Sequence, residues 1–233
     1  MEIRQFRYSA DNLGYLLCGK REALAVDGGA VEDMLEFLES RGLELAAVTN
    51  THSHSDHTCG NSELLKRTSA EYLSSVEIGK LGTLLLEDES IEVIHTPGHT
   101  RDSVCLAGDG FLISGDTLFN GKVGKCFTGD VEAFFRSIGR LMELSDSTVV
   151  YGGHDYVQEY MEFAAKVEPD NPDIARYLQK YDPELVCATL REEKKVDPFL
   201  RLDQPSVVRF LKDRDLPRET PLQRFTSLLN PSR

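Results

Sequence analysis

Hydrophobic and polar positions change their period along this chain. Residues 14–18, 23–27, 46–50, 91–96, 104–107 and 111–114 are short apolar stretches rich in β-branched or aromatic side chains, nearly all punctuated by Gly, Asp or Asn. That is the pattern of strands bounded by turns. Between them, residues 31–40 place Val31, Met34, Leu35 and Leu38 on one face at helical spacing, and residues 132–144 repeat that period. From Tyr156 onward the strand-like runs give way to helical ones at 157–167, 172–180 and 205–212, with prolines near their starts, where a missing N–H costs least. Strands flanked by helices, then helices alone, predict a layered α/β body (residues 1–155) with a small C-terminal α-helical domain (residues 156–233).

Length and composition agree with that picture. A chain of 233 residues can bury one large core and a small appended domain. With 40% hydrophobic and 28% charged residues, it is composed like an ordinary globular protein rather than a disordered one. No stretch approaches the roughly 20 apolar residues of a membrane span, and Met1-Glu2-Ile3-Arg4 begins no basic-then-apolar leader. The expectation is a cytoplasmic protein with no membrane partner. Five cysteines, an odd number with no CxxC pair, suit reduced thiols. The net charge of -13 is uneven: residues 1–165 carry 27 Asp/Glu against 13 Lys/Arg, whereas residues 166–233 carry 12 against 13. An acidic body argues against a nucleic-acid partner gripped through its phosphates. A monomer or weak homo-oligomer is expected.

The chemistry concentrates in Thr51-His52-Ser53-His54-Ser55-Asp56-His57, which follows a strand-like run and precedes a helix-like one. In extended backbone, side chains two apart point the same way, so His52 and His54 converge on one ion. As the chain turns toward a helix, Asp56 and His57 swing to an adjacent position. His99, Asp116 and His154 each lie just past a predicted strand beside a glycine, where a rigid sheet displays functional groups. Five of the six histidines fall in these few places, a concentration that chance does not explain. His95, the sixth, is read as structural. Imidazole with carboxylate suits zinc, and also iron or manganese, better than calcium or magnesium.

The expectation is therefore two divalent metal ions, zinc first. His52, His54 and His99 would hold one, Asp56, His57 and His154 the other, and Asp116 would bridge them. Two such ions share a water whose pKa falls toward roughly 7 and polarise a carbonyl for attack. No GxSxG elbow or activated cysteine competes with this mechanism. Cys59 reads as a packing residue. Asp27 reads equally as a turn residue or as a group orienting a ligand histidine.

Thr51 to His57, His95 to Thr100, Gly115-Asp116-Thr117-Leu118-Phe119 and Gly153-His154-Asp155-Tyr156 resemble the metallo-β-lactamase superfamily, specifically glyoxalase II, or hydroxyacylglutathione hydrolase. Val167-Glu168-Pro169-Asp170-Asn171 and Asp197-Pro198-Phe199-Leu200-Arg201 resemble that family's C-terminal domain. The resemblance implies an αββα sandwich, a helical domain closing over a binuclear site, and hydrolysis of the thioester S-D-lactoylglutathione to D-lactate and glutathione. It implies further that Lys125, Tyr156, Arg209 and Lys212 bind the glutathione conjugate. The chain departs from the family pattern at Phe127, where a tyrosine is common, so another thiol carrier stays open. A rival of the same fold is a persulfide dioxygenase with one iron held by two His and one Asp.

Overall fold

A computed structural model describes residues 1–231; the last two residues of the expected helical segment lie outside the described residues. One sheet runs in the order β1 (Glu2–Tyr8), β2 (Asn12–Cys18), β3 (Glu22–Val26), β4 (Glu44–Thr49) and β5 (Glu71–Leu73). The other is built from β6 (Thr83–Leu86), β7 (Glu89–His95), β8 (Val104–Gly108) and β9 (Phe111–Gly115). A two-stranded hairpin, β10 (Leu118–Phe119) and β11 (Lys122–Val123), interrupts it before β12 (Val149–Gly152) and β13 (Ala188–Thr189) complete the order β13-β12-β9-β8-β7-β6.

Alternation along the strands sets the layers. In β2 every residue is buried, because Leu13, Tyr15 and Leu17 face one way and Leu16 and Cys18 the other. The first set meets Val93, Leu106 and Ile113 of the second sheet in a shared cluster, so the sheets pack face to face. The second set meets Met34 and Leu38 of helix α1 (Val31–Arg41). Short helices α2 (Ser55–Thr58), α3 (Asn61–Arg67) and α4 (Ser75–Leu81) follow. The outer face of the second sheet, with Ile94, Cys105, Leu112 and Val150, is covered by Phe134, Ile138 and Leu141 of α5 (Val131–Leu141). The result is the αββα sandwich.

The C-terminal part is α6 (Val157–Val167), α7 (Pro172–Lys180), α8 (Leu190–Val196), α9 (Pro205–Lys212) and α10 (Pro221–Leu229), with a 3₁₀ turn at Pro198–Leu200. The expectation of helices alone here is corrected by β13, whose residues pair with Val149 and Val150 at the edge of the second sheet. Two residues between helices are too few to show a strand period. No helix among the described residues is long and apolar enough to cross a membrane.

Candidate metal centre

The loops that leave β4, β7, β9 and β12 meet at one end of the sandwich, and each brings a histidine or aspartate. Their donor atoms form two groups, one of His52, His54, His99 and Asp116, the other of Asp56, His57 and His154; within each group the atoms lie within 4.8 Å of one another. His52, His57, His99, Asp116 and His154 are buried, His54 is half-buried and Asp56 exposed. Gly153 makes the approach possible: a Cβ there would sit 2.3 Å from Asp116 Oδ1 and 2.9 Å from His57 Cε1.

Four of the five histidines in these groups are fixed from behind. His57 Nδ1 lies 2.9 Å from Asp27 Oδ2, His154 Nδ1 2.8 Å from Asp11 Oδ1, and His99 Nδ1 2.9 Å from the Lys125 carbonyl. These partners only accept, so the three imidazoles donate through Nδ1 and aim a lone pair inward at Nε2. The Thr51 hydroxyl donates to Asp27 Oδ2 at 2.6 Å, which leaves its oxygen to accept from His52 Nδ1 at 3.1 Å. Asp27 thus serves both groups, and its φ of 53° is held by further acceptance from the Thr51 amide. Of the two readings of Asp27, the orienting one is what the structure shows.

The inward atoms crowd together. His54 Nδ1 is 2.9 Å from His52 Nε2 and 3.0 Å from His99 Nε2, and His57 Nε2 is 3.2 Å from His154 Nε2. Lone pairs that face one another need a cation between them. Asp116 supplies the charge: its Oδ1 is buried without a hydrogen bond, 3.3 Å from His57 Nε2, while Oδ2 is 3.4 Å from His99 Nε2 and 3.6 Å from His154 Nε2. Burial opposes ionisation of Asp116, yet His57 and then His154 hold its carboxyl well below the usual range. Burial likewise opposes a charge on His57, but Asp27 and Asp116 outweigh it and push its pKa up to about 11. Burial, then the neighbouring His57, pulls His52 down to about 4. Without a metal, this field favours a second proton on His57, at Nε2; a divalent cation answers the same field in that proton's place and meets the other inward lone pairs as well.

The pattern of the metallo-β-lactamase superfamily matches residues 13–88 and 72–154, and that of the hydroxyacylglutathione hydrolase C-terminus matches residues 155–230. A hydroxyacylglutathione hydrolase of Chromohalobacter salexigens is 36% identical over 82% of this chain and 82% of its own. One from Vibrio cholerae is 33% identical over 98% and 97%. The chain belongs to the hydroxyacylglutathione hydrolase family. Among solved structures, ETHE1 from Myxococcus xanthus superposes with a TM-score of 0.72 at 23% identity, covering 100% of this chain and 92% of that one, a likeness of fold. The metallo-β-lactamase fold of this family implies a divalent metal, and the facing nitrogens and the unpaired Asp116 oxygen fit one.

The residues expected to bind substrate separate into two pairs. Tyr156 stacks on His154 with ring centroids 5.0 Å apart, its hydroxyl 3.2 Å from His154 Nδ1, and burial raises its pKa to about 12. Lys125 places its Nζ 4.6 Å above the Phe127 ring, whose edge meets His99 at 5.1 Å and His54 at 5.6 Å. Phe127, 57% exposed, therefore forms a wall of the mouth. Arg209 instead lines a cleft of about 440 Å³ among α6, α7 and α9, none of whose lining residues belongs to the metal centre, and Lys212 is exposed on the same helix. Reading the sequence missed Asp11, Asn12 and Thr51. Asp11 and Asn12 look like ordinary turn punctuation between strands, and only their place opposite His154 in the fold distinguishes them.

Proposed function

We propose that the chain hydrolyses S-D-lactoylglutathione to D-lactate and glutathione at a site for two divalent metals, with zinc as the preferred ion. The observation that carries this reading is the convergence of two donor groups in a chain that matches the hydroxyacylglutathione hydrolase C-terminus over residues 155–230. When bound, divalent metals make water nucleophilic near neutral pH and polarise a carbonyl oxygen.

The protein's own share is positional. Asp116, whose two oxygens face both groups, would be the carboxylate shared between the ions, and Asp56 would complete the more exposed position. Asp11, Asp27, Thr51 and the Lys125 carbonyl keep His154, His57, His52 and His99 in the ligating tautomer. At the mouth, the Lys125 ammonium offers a charge partner to a glutathione carboxylate, and the Phe127 ring offers an apolar wall to the thiol arm. Tyr156 borders the same space beside His154. Arg209 and Lys212 take no part in this reading, because nothing brings them to the cluster.

The test is the loss of thioester absorbance of S-D-lactoylglutathione with purified, metal-loaded protein. Turnover that stops on chelation and returns with added zinc supports the reading. Protein with two metals per chain that leaves this thioester intact but cleaves others moves the assignment to another thiol carrier. One iron per chain with oxygen uptake on a persulfide replaces it with the dioxygenase.

A further inference from the structure

Beyond Asp27, which backs both groups, the two halves of the metal centre are held by different parts of the chain. His52 leans on Thr51, in its own loop, and His99 on the Lys125 carbonyl, just past β11. The second group draws on the turn that joins β1 to β2. Asp11 Oδ1 accepts a hydrogen bond from His154 Nδ1 at 2.8 Å. The next residue, Asn12, is 5% exposed and donates through Nδ2 to Asp56 Oδ2 at 3.1 Å, with His154 Nε2 3.5 Å away.

Backbone contacts lock the turn to the strand end opposite. The Leu13 amide donates to the Gly153 carbonyl and the Asp155 amide to the Asp11 carbonyl, both at 2.9 Å, so Asn12 and His154 form an isolated bridge. The turn enters through Ser9 in a left-handed conformation, φ 54°. Behind it, Arg7 and Tyr181 both donate to Asp155 Oδ2, at 2.6 and 2.7 Å. Asp56 needs such help most, since it is the exposed ligand and has side-chain freedom to lose.

We propose that Asp11 and Asn12 are positioning residues for the second metal position alone, so that the β1–β2 turn decides whether the centre fills with two ions or stops at one. The proposal rests on the two-metal reading above. Asp11 aims the His154 lone pair, Asn12 aims the Asp56 carboxylate, and neither touches His52, His54 or His99. Removing the Asp11 carboxylate frees the His154 ring to turn or to take the other tautomer, while the first position keeps all its supports. Loss of such an outer partner costs roughly 10–100-fold in metal affinity.

The test uses metal-free full-length chain titrated with Co²⁺, followed by its ligand-field absorption, for wild type, Asp11→Ala and Asp11→Asn. Wild type takes up two equivalents. Asp11→Ala binds the first as wild type does and the second about 10–100-fold more weakly. Asp11→Asn, which keeps an accepting oxygen, falls between them. Thermal unfolding of the metal-free variants, unchanged because Asp11 is over a third exposed on its side chain, separates positioning from misfolding. Two equivalents bound by Asp11→Ala with wild-type affinities overturn the proposal, as does equal weakening of both. Wild type that stops at one equivalent overturns the two-metal reading and this proposal with it.

Discussion

Glu193 is a carboxylate that the proposed chemistry does not use. It is fully buried and accepts from Asn120 Nδ2, the Tyr177 hydroxyl and the Gly121 amide, at 3.0, 2.6 and 2.7 Å. Burial outweighs these bonds and pushes its pKa up to about 7 from the ordinary carboxyl value of 4.5. Between those two values the folded chain holds a proton that the unfolded chain has released, so stability falls as pH rises through that window and levels off above it. At 1.36 kcal/mol per unit the swing is about 3 kcal/mol. Glu193→Gln should flatten it: urea unfolding of wild type and variant at several pH values between about 5 and 8 should give a stability difference that grows in the variant's favour and then stays constant. A parallel pair of curves would mean that Glu193 stays ionised throughout. Nothing in Leu190-Arg191-Glu192-Glu193-Lys194-Lys195 marks this residue out, because the segment reads as a solvated charge run. The ligand histidines were legible for the opposite reason: HxHxDH spacing is rare, whereas a glutamate on a helix is common.

At the scale of elements, the β10–β11 hairpin matters more than its length suggests. It runs from Asp116 to Lys125 and passes both ends of itself to the metal centre. Gly124 closes it, donating to the Thr117 carbonyl at 3.1 Å, and a Cβ on Gly124 would sit 1.8 Å from the Asp116 carbonyl oxygen. Gly124→Ala must therefore push the bridge candidate and the Lys125 carbonyl apart. The expected result is a loss of roughly 1–3 kcal/mol of stability, together with reduced metal content, measured by thermal unfolding and metal analysis of the purified variant. Full metal content would show that the hairpin yields elsewhere. Three helices with clear periods were readable: 157–167, 172–180 and 205–212 agree with α6, α7 and α9. Other elements were not. β1, Glu-Ile-Arg-Gln-Phe-Arg-Tyr, is an edge strand with only Phe6 buried, so its charged face hid it. The strands β10, β11 and β13 are two residues each, too short to show a period, and β13 pairs with a strand distant in sequence.

At the scale of the molecule, the boundary expected at residues 155 and 156 marks a change of secondary structure without a break in packing. Val157, Met161 and Ala164 of α6 and Ile174 of α7 belong to the same buried cluster as the inner faces of both sheets. Phe210 of α9 and Phe225 of α10 join Phe134 and Ile138 of α5 on the outer face of the second sheet. Gln5 of β1 donates to the Val186 carbonyl at 2.9 Å and accepts from the Val186 amide at 2.8 Å, and β13 adds to the sheet beyond the same stretch. Cutting the chain after Asp155 would leave those apolar faces open to water, at about 25 cal/mol per Å². It would also remove Tyr181, one of the two donors to Asp155 beside His154. The helical part is therefore expected to unfold together with the sandwich. Calorimetry of the metal-free full-length chain should show a single transition whose van't Hoff and calorimetric enthalpies agree. Two resolved transitions, the lower one releasing the C-terminal helices while Co²⁺ still binds at the sandwich, would show instead that the metal centre stands on the first 155 residues alone.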